Sequence, residues 1–278
     1  MWKGKPQIIL TALTLLIFLS GCIVIKPTYT KENLVESITE LCKKEYGVEP
    51  KVSLVGETVW VYLGLTRLIT EDIQWDKEMG EKIGNVVLGT NRVLLSMKPR
   101  PQFMVVVASD IKERGIDYSI KTWIPDIVKY QLQFISRDEF SQRNVIMIKE
   151  NADAMSDIEG KHIDRQDIRM GDFLAEQIAQ RIHTKFSLDP KYKDYFQAQD
   201  IGALFSEGTF KIYVNIKQND ATAKPPIHIT KEITNIIVYV LKEYEFNDFK
   251  WVEIENSATG EQVTYNRQAL KTFLKKGS

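Results

Sequence analysis

Two stretches, residues 58–65 (TVWVYLGL) and 209–216 (TFKIYVNI), align without a gap. Alternate residues in each are apolar. Val59, Val61, Leu63 and Leu65 share one strand face, and Phe210, Ile212, Val214 and Ile216 take the same positions in the second copy. A strand patterned this way must lay that face on a core, so a chain carrying it twice needs two related cores.

The surroundings repeat as well. Residues 76–98 carry Met79, Ile83, Val86, Val87, Thr90, Leu94 and Met97 at helical spacing, and Pro99 and Pro101 stop the helix. Residues 230–244 carry Ile233, Ile236, Ile237, Val240, Leu241 and Tyr244, with Thr230 as the expected N-cap. Each helix leads into a strand (103–109, 249–255), a turn at Gly115 or Gly260, a second strand (116–123, 261–266) and a closing helix (125–135, 267–275). Upstream lie an amphipathic helix (31–46, 168–186) and a short strand (51–55, 202–208) hairpinned to the alternating one. Thr28 or Thr30 is the expected cap of the first helix.

The expected fold is therefore α+β: two related α-β-β-α-β-β modules with antiparallel sheets and helices on one face. Module 1 covers 31–135 and module 2 covers 167–278. The connector is 136–166, with a capping box at Ser136 and Glu139, a strand at 144–149 and a polar loop beyond. The order of elements resembles small α/β envelope modules such as the BON domain. Position by position, this region matches no characterised family.

The first 22 residues read differently. Lys3 and Lys5 precede a twelve-residue apolar run, residues 8–19, followed by Ser20, Gly21 and Cys22. Twelve helical residues reach about 18 Å, short of a bilayer core of about 30 Å, so this is a secretory signal rather than a spanning helix. Leu19, Ser20, Gly21 and Cys22 resemble the lipobox of bacterial lipoproteins. The resemblance implies cleavage before Cys22, a diacylglycerol thioether on its sulfur and acylation of the new amino group, with Leu19, Ser20 and Gly21 read by the signal peptidase. The membrane is then a partner through Cys22. Residues 1–21 are the signal peptide and 22–30 a lipidated tether. The eight residues 23–30 span at most about 28 Å. In that family an aspartate after the cysteine often marks inner-membrane retention. Ile23 stands there, which favours the periplasmic side of an outer membrane where the cell has one, and otherwise the outer face of the cytoplasmic membrane.

Lysine plus arginine and aspartate plus glutamate number 37 each, so no general charge draws the chain to nucleic acid. Apolar residues at 44 % and charged residues at 27 % fit a folded globular protein. Cys42 falls on the apolar stripe of the first helix with Leu34, Ile38 and Leu41, and is expected to be a buried, inert thiol.

No catalytic, metal or cofactor constellation emerges. His162, His183 and His228 lie in no metal spacing. His162, with Asp164 and Asp167 near it, is the strongest acid–base candidate, against a solvated loop. Asp153, Asp157 and Glu159 before Gly160 fail the calcium-loop pattern. Gly80, Gly84 and Gly89 sit within a helical pattern, where close packing explains them better than phosphate binding. Trp60, Tyr62, Tyr213, Phe249 and Trp251 are placed on the strands' other face, where they are either covered or form a binding surface. Two functions follow: a non-catalytic, lipid-anchored envelope protein that contacts another envelope protein, or a membrane-tethered enzyme or ligand carrier with a pocket lined by His162, Asp164 and the aromatics.

Overall fold

The structure is a computed structural model and describes residues 29–220 and 227–276. The lipobox residues Leu19–Cys22 lie outside that range.

Module 1 opens with α1 (Leu34–Tyr46), then β1 (Lys51–Val55), β2 (Thr58–Leu65), α2 (Lys77–Leu95), β3 (Phe103–Asp110), β4 (Ile116–Trp123) and α3 (Ile124–Gln131). It continues through α4 (Arg137–Arg143) and β5 (Val145–Glu150). Module 2 runs α5 (Met170–His183), a π turn, β6 (Phe196–Ser206), β7 (Thr209–Gln218), α6 (Ile229–Glu243), β8 (Trp251–Asn256), β9 (Glu261–Asn266) and α7 (Arg267–Lys276). The α-β-β-α-β-β order holds in both modules. The sheets have strand orders β1-β2-β3-β4-β5 and β6-β7-β8-β9.

Three details differ from expectation. The hairpins are antiparallel, but the central pairs β2–β3 and β7–β8 are parallel. A helix joins those strands, and crossing back over the sheet returns the chain in the same direction. Residues 136–150 are not connector: β5 pairs with β4 as the fifth strand of module 1, leaving residues 151–169 as the connector. The helix caps also shift. Asn33 rather than Thr30 sits at the α1 N-cap, with the Thr30 N–H donating to its side chain at 2.8 Å. Thr28 lies outside the described residues. His228 precedes α6, while Thr230 lies inside it and donates to Glu261. Ser136 does accept from the Glu139 N–H, as expected.

The alternating faces go where their pattern sends them. Val59, Val61 and Leu63 join Met104, Val106 and Ala108 beneath α1 and α2. There Cys42 is fully buried, and a Cβ on Gly89 would fall 2.9 Å from its Sγ. Burial pushes the Cys42 thiol up to about 11, with the Glu45 charge adding to the effect, so it is unreactive at neutral pH. Phe210, Ile212, Val214 and Ile216 pack beneath α5 and α6.

The modules share one core. The outer face of the first sheet supplies Phe103, Trp123 and Val145 to the apolar cluster of module 2. Phe103 lies 5.3 Å from Phe173 on α5, and Trp123 lies 5.3 Å from Tyr244. The molecule is thus layered: α1 and α2, sheet 1, α5 and α6 with the connector, then sheet 2. Buried charges fasten the middle. Arg143 donates to Asp126 at 2.9 Å and Glu139 at 2.7 Å, and stands 3.6 Å from Glu243 of module 2. Arg181 holds the other Glu243 oxygen at 2.8 Å. Gln177 on α5 donates to the Arg143 carbonyl at 2.6 Å and to the Tyr244 hydroxyl at 2.9 Å.

Arg143 is 6 % exposed and Asp126 1 %. Replacing the guanidinium leaves buried Asp126 with only the longer contact to Lys129 at 3.5 Å and takes one of two cations from Glu243. Arg143→Met should lower stability by about 3–5 kcal/mol in urea denaturation, the size expected when one partner of a buried pair is removed.

Candidate functional site

Trp60 and Tyr62 point to the outer face of β2, beside Val105 and Val107 of β3. They are not exposed. The connector crosses them with Ile163 and Ile168, leaving Trp60 8 % and Tyr62 1 % accessible. The Trp60 indole N–H donates to the Gln166 carbonyl at 3.0 Å, and the Tyr62 hydroxyl to the Asp157 carbonyl at 2.5 Å. Burial pushes the Tyr62 phenol up to about 12. Asp167 closes the crossing, accepting from the Glu57 N–H and the Thr58 hydroxyl at 2.9 Å each. Gly56 makes room for it, since a Cβ there would meet the carboxylate at 2.2 Å.

His162 lies at the centre of this crossing. Its Nδ1 is 2.5 Å from Asp157 Oδ2, and its Nε2 is 3.1 Å from Asp117 Oδ1 on β4. Ser109 Oγ, at the end of β3, is 3.4 Å from the same Nε2. The order Ser109–His162–Asp157 resembles a nucleophilic triad in its distances, but the protons run elsewhere. Ser109 is fully buried and donates to Asp117 at 2.5 Å. Asp117 also accepts from Asn151 at 2.6 Å. A serine closed to substrate and bonded to a carboxylate is not poised for attack. Each ring nitrogen lies within hydrogen-bond reach of a carboxylate, one on the connector and one on β4, which makes His162 a buried fastener of connector to sheet. Asp164 is exposed and bonds only Gln166, and Asp167 serves the Thr58 clip, so neither acts on His162. Among the described residues, no group of three or more His, Cys, Asp or Glu side chains could hold a metal ion.

A hollow of about 220 Å³ opens beside the fastener. Trp60, Val105, Val107, Met147 and Ile163 line it, with His162, Asp164, Ser119 and Lys149 among its polar groups. It lies within module 1, under the connector, rather than between the modules. A more apolar hollow of about 330 Å³ sits between α6 and α7, lined by Phe246, Phe249, Leu241 and Leu270 together with Lys242, Glu245 and Arg267.

The other aromatics part company. Phe249 is buried against Phe210 at 5.8 Å, because the chain turns into the core before β8 begins; it belongs to no outer face. Tyr213 and Trp251 are 42 % and 45 % exposed on the outer face of sheet 2, separated by the Lys211–Glu253 pair, and Leu204 faces Lys211 from β6. The five aromatics therefore form no single surface. Gln177, Arg143 and Ser109 were missed by the sequence reading. Only the unusually wide apolar coverage of α5, with Phe173 and Leu174 adjacent and both buried, hinted at a helix packed on two sides.

No family model matches the chain, and no curated protein matches it in sequence. Among the described residues, no helix is long and apolar enough to cross a membrane.

Burial raises the Asp157 carboxyl, but hydrogen bonds from the His162 N–H and ring, the imidazole charge and the Glu159 N–H outweigh it and hold it below its ordinary value. The stability it adds is complete above the ordinary carboxylate value of about 4 and is lost as pH falls through the lower folded value. Amide exchange in residues 163–168, corrected for its intrinsic pH dependence, should therefore accelerate below about pH 4. Asp157→Asn should show the faster exchange already at pH 7.

Proposed function

We propose that this chain is an exported, lipid-anchored protein of the cell envelope that works by contact rather than catalysis, as an interaction or assembly component close to a membrane. The anchor rests on Leu19–Cys22, whose pattern resembles the lipobox. Tyr29 pairs with Met97, and Lys31 with Glu57 at 2.5 Å, so the folded body takes hold of the chain seven residues after Cys22. Seven residues reach about 25 Å, which would keep module 1 beside the bilayer. Ile23 favours the periplasmic side of an outer membrane where there is one. The burial of Ser109 supports a non-catalytic role, and the even charge balance argues against nucleic acid as partner.

The observation that carries the contact role is the outer face of sheet 2. The matching face of sheet 1 is covered by the connector and α5, whereas Trp251, Tyr213 and Leu204 stand open to solvent. Exposed tryptophan and tyrosine are the side chains that most often dominate protein contacts.

A second reading, ligand carriage by a tethered protein, is favoured by the hollow that brings Trp60, His162 and Asp164 together.

Two measurements test the first reading. Mass spectrometry of the native product should find Cys22 as a lipidated first residue; an intact leader or a free amino end removes the anchor. In pull-downs from gently solubilised envelopes, a specific partner should be kept by wild type, lost with Cys22→Ser, and weakened at least about tenfold by Trp251→Ser with Tyr213→Ser. Thermal stability should stay within about 0.5 kcal/mol, because both side chains lie on the surface. Retention of the partner by the double variant would remove the proposed contact face.

A further inference from the structure

The hollow in module 1 holds two opposite charges that nothing in the fold uses. Four charged side chains besides His162 line it: Asp117, Lys121, Lys149 and Asp164. Asp117 is saturated by Ser109, Asn151 and His162. Lys121 is neutralised by Glu176, with both carboxylate oxygens 2.6 Å from its Nζ. Lys149 makes no ion pair among the described residues, and the Asp164 carboxylate receives only the Gln166 side-chain amide at 2.5 Å. The two do not pair with each other either. Lys149 stands on β5 opposite Asp117, while Asp164 comes from the connector.

The surface between these charges is apolar. Val105 is fully buried and Val107 nearly so at its base, and Trp60, Ile163 and Met147 form its walls. The Ser119 hydroxyl adds one neutral polar group. At about 220 Å³ the hollow falls below the roughly 300–1,000 Å³ of sites for drug-sized molecules, so its occupant is small.

A cation and an anion that line one largely apolar hollow are complementary to a ligand carrying both charges and an apolar body. A ligand with one charge leaves the second wall group unused, and a purely apolar one uses neither. We propose that this hollow binds a small zwitterion with an apolar side chain, the chemistry of a free apolar α-amino acid. The carboxylate faces Lys149, the ammonium faces Asp164, and the side chain lies against Val105, Val107 and Trp60. The proposal stands independently of the lipid anchor and of the outer face of sheet 2. It names the ligand class for the carrier reading, and its failure would leave the contact role untouched.

The test uses the purified full-length protein in mild detergent, with L-leucine as probe. The comparison ligands are 4-methylvalerate, which lacks the ammonium, and 3-methylbutylamine, which lacks the carboxylate. Binding is read by amide chemical shifts and by thermal shift. Leucine should move amides of β4, β5 and the connector and bind at least about tenfold more tightly than either analogue, since each charge-assisted contact is worth about that factor. Lys149→Met and Asp164→Asn should each remove about tenfold of leucine affinity while leaving the melting temperature of the free protein unchanged. The proposal is overturned by an absence of shifts at about 10 mM leucine, by equal binding of the analogues, by indifference to both substitutions, or by shifts confined to the hollow near Phe246 and Phe249.

Discussion

Helix α5 is buried from two sides, and most of the architecture follows from that. Its stripe through Leu174, Ile178 and Ile182 belongs to the core of module 2, as an amphipathic helix requires. Phe173 and Gln177 face the other way, toward Phe103 and the carbonyl of Arg143 in module 1. A helix that must satisfy two sheets fixes their distance and order. The connector has no freedom to wander once α5 is placed. It is drawn across the outer face of sheet 1, and that crossing is what covers Trp60 and Tyr62 and buries His162.

The polar contacts within this seam are specific as well as stabilising. Arg143 joins Asp126 and Glu139 of its own module to Glu243 of the next, and the hydroxyl of Tyr244 meets Gln177. Each partner needs the others in place, because a charge left alone there is costly. The Asp117–His162–Asp157 chain does the same for the connector. Both arrangements use groups that in another setting would suggest chemistry. Accessibility separates the two cases: Ser109 has a suitable neighbour and no route to a substrate.

Much of this was legible in the sequence, and for physical reasons. Period-2 alternation in 58–65 and 209–216 and the helical spacing in 76–98 and 230–244 report local burial, which depends on residues close along the chain. The hairpins and the duplicated order came from the same signals. Contacts between modules were not legible. That β5 completes the first sheet, that the central pairs run parallel, and that Phe249 turns inward all depend on partners well beyond the local window, some 24 to 45 residues away, or on where a strand begins. Tyr62 and Tyr213 are equivalent in the aligned stretches, yet the first lies under the connector and the second is open to solvent. A pocket joining His162, Asp164 and aromatics was expected between the modules; that Lys149 lines it and that it lies within module 1 were not legible, since only the folded crossing brings β5 and residue 164 together.

The aligned modules also show where the series of layers within this chain comes to a stop. Where the outer face of the first sheet has Val105, Val107 and Trp123, the second has Glu253, Glu255 and Asn266 at the corresponding register positions. The first set is adhesive and accepts another helical layer. The second is charged or polar at those positions and carries no further layer of this chain, while Trp251, the counterpart of Phe103, is left open to solvent. One face is thus spent on holding the molecule together, and its twin is free to meet something else.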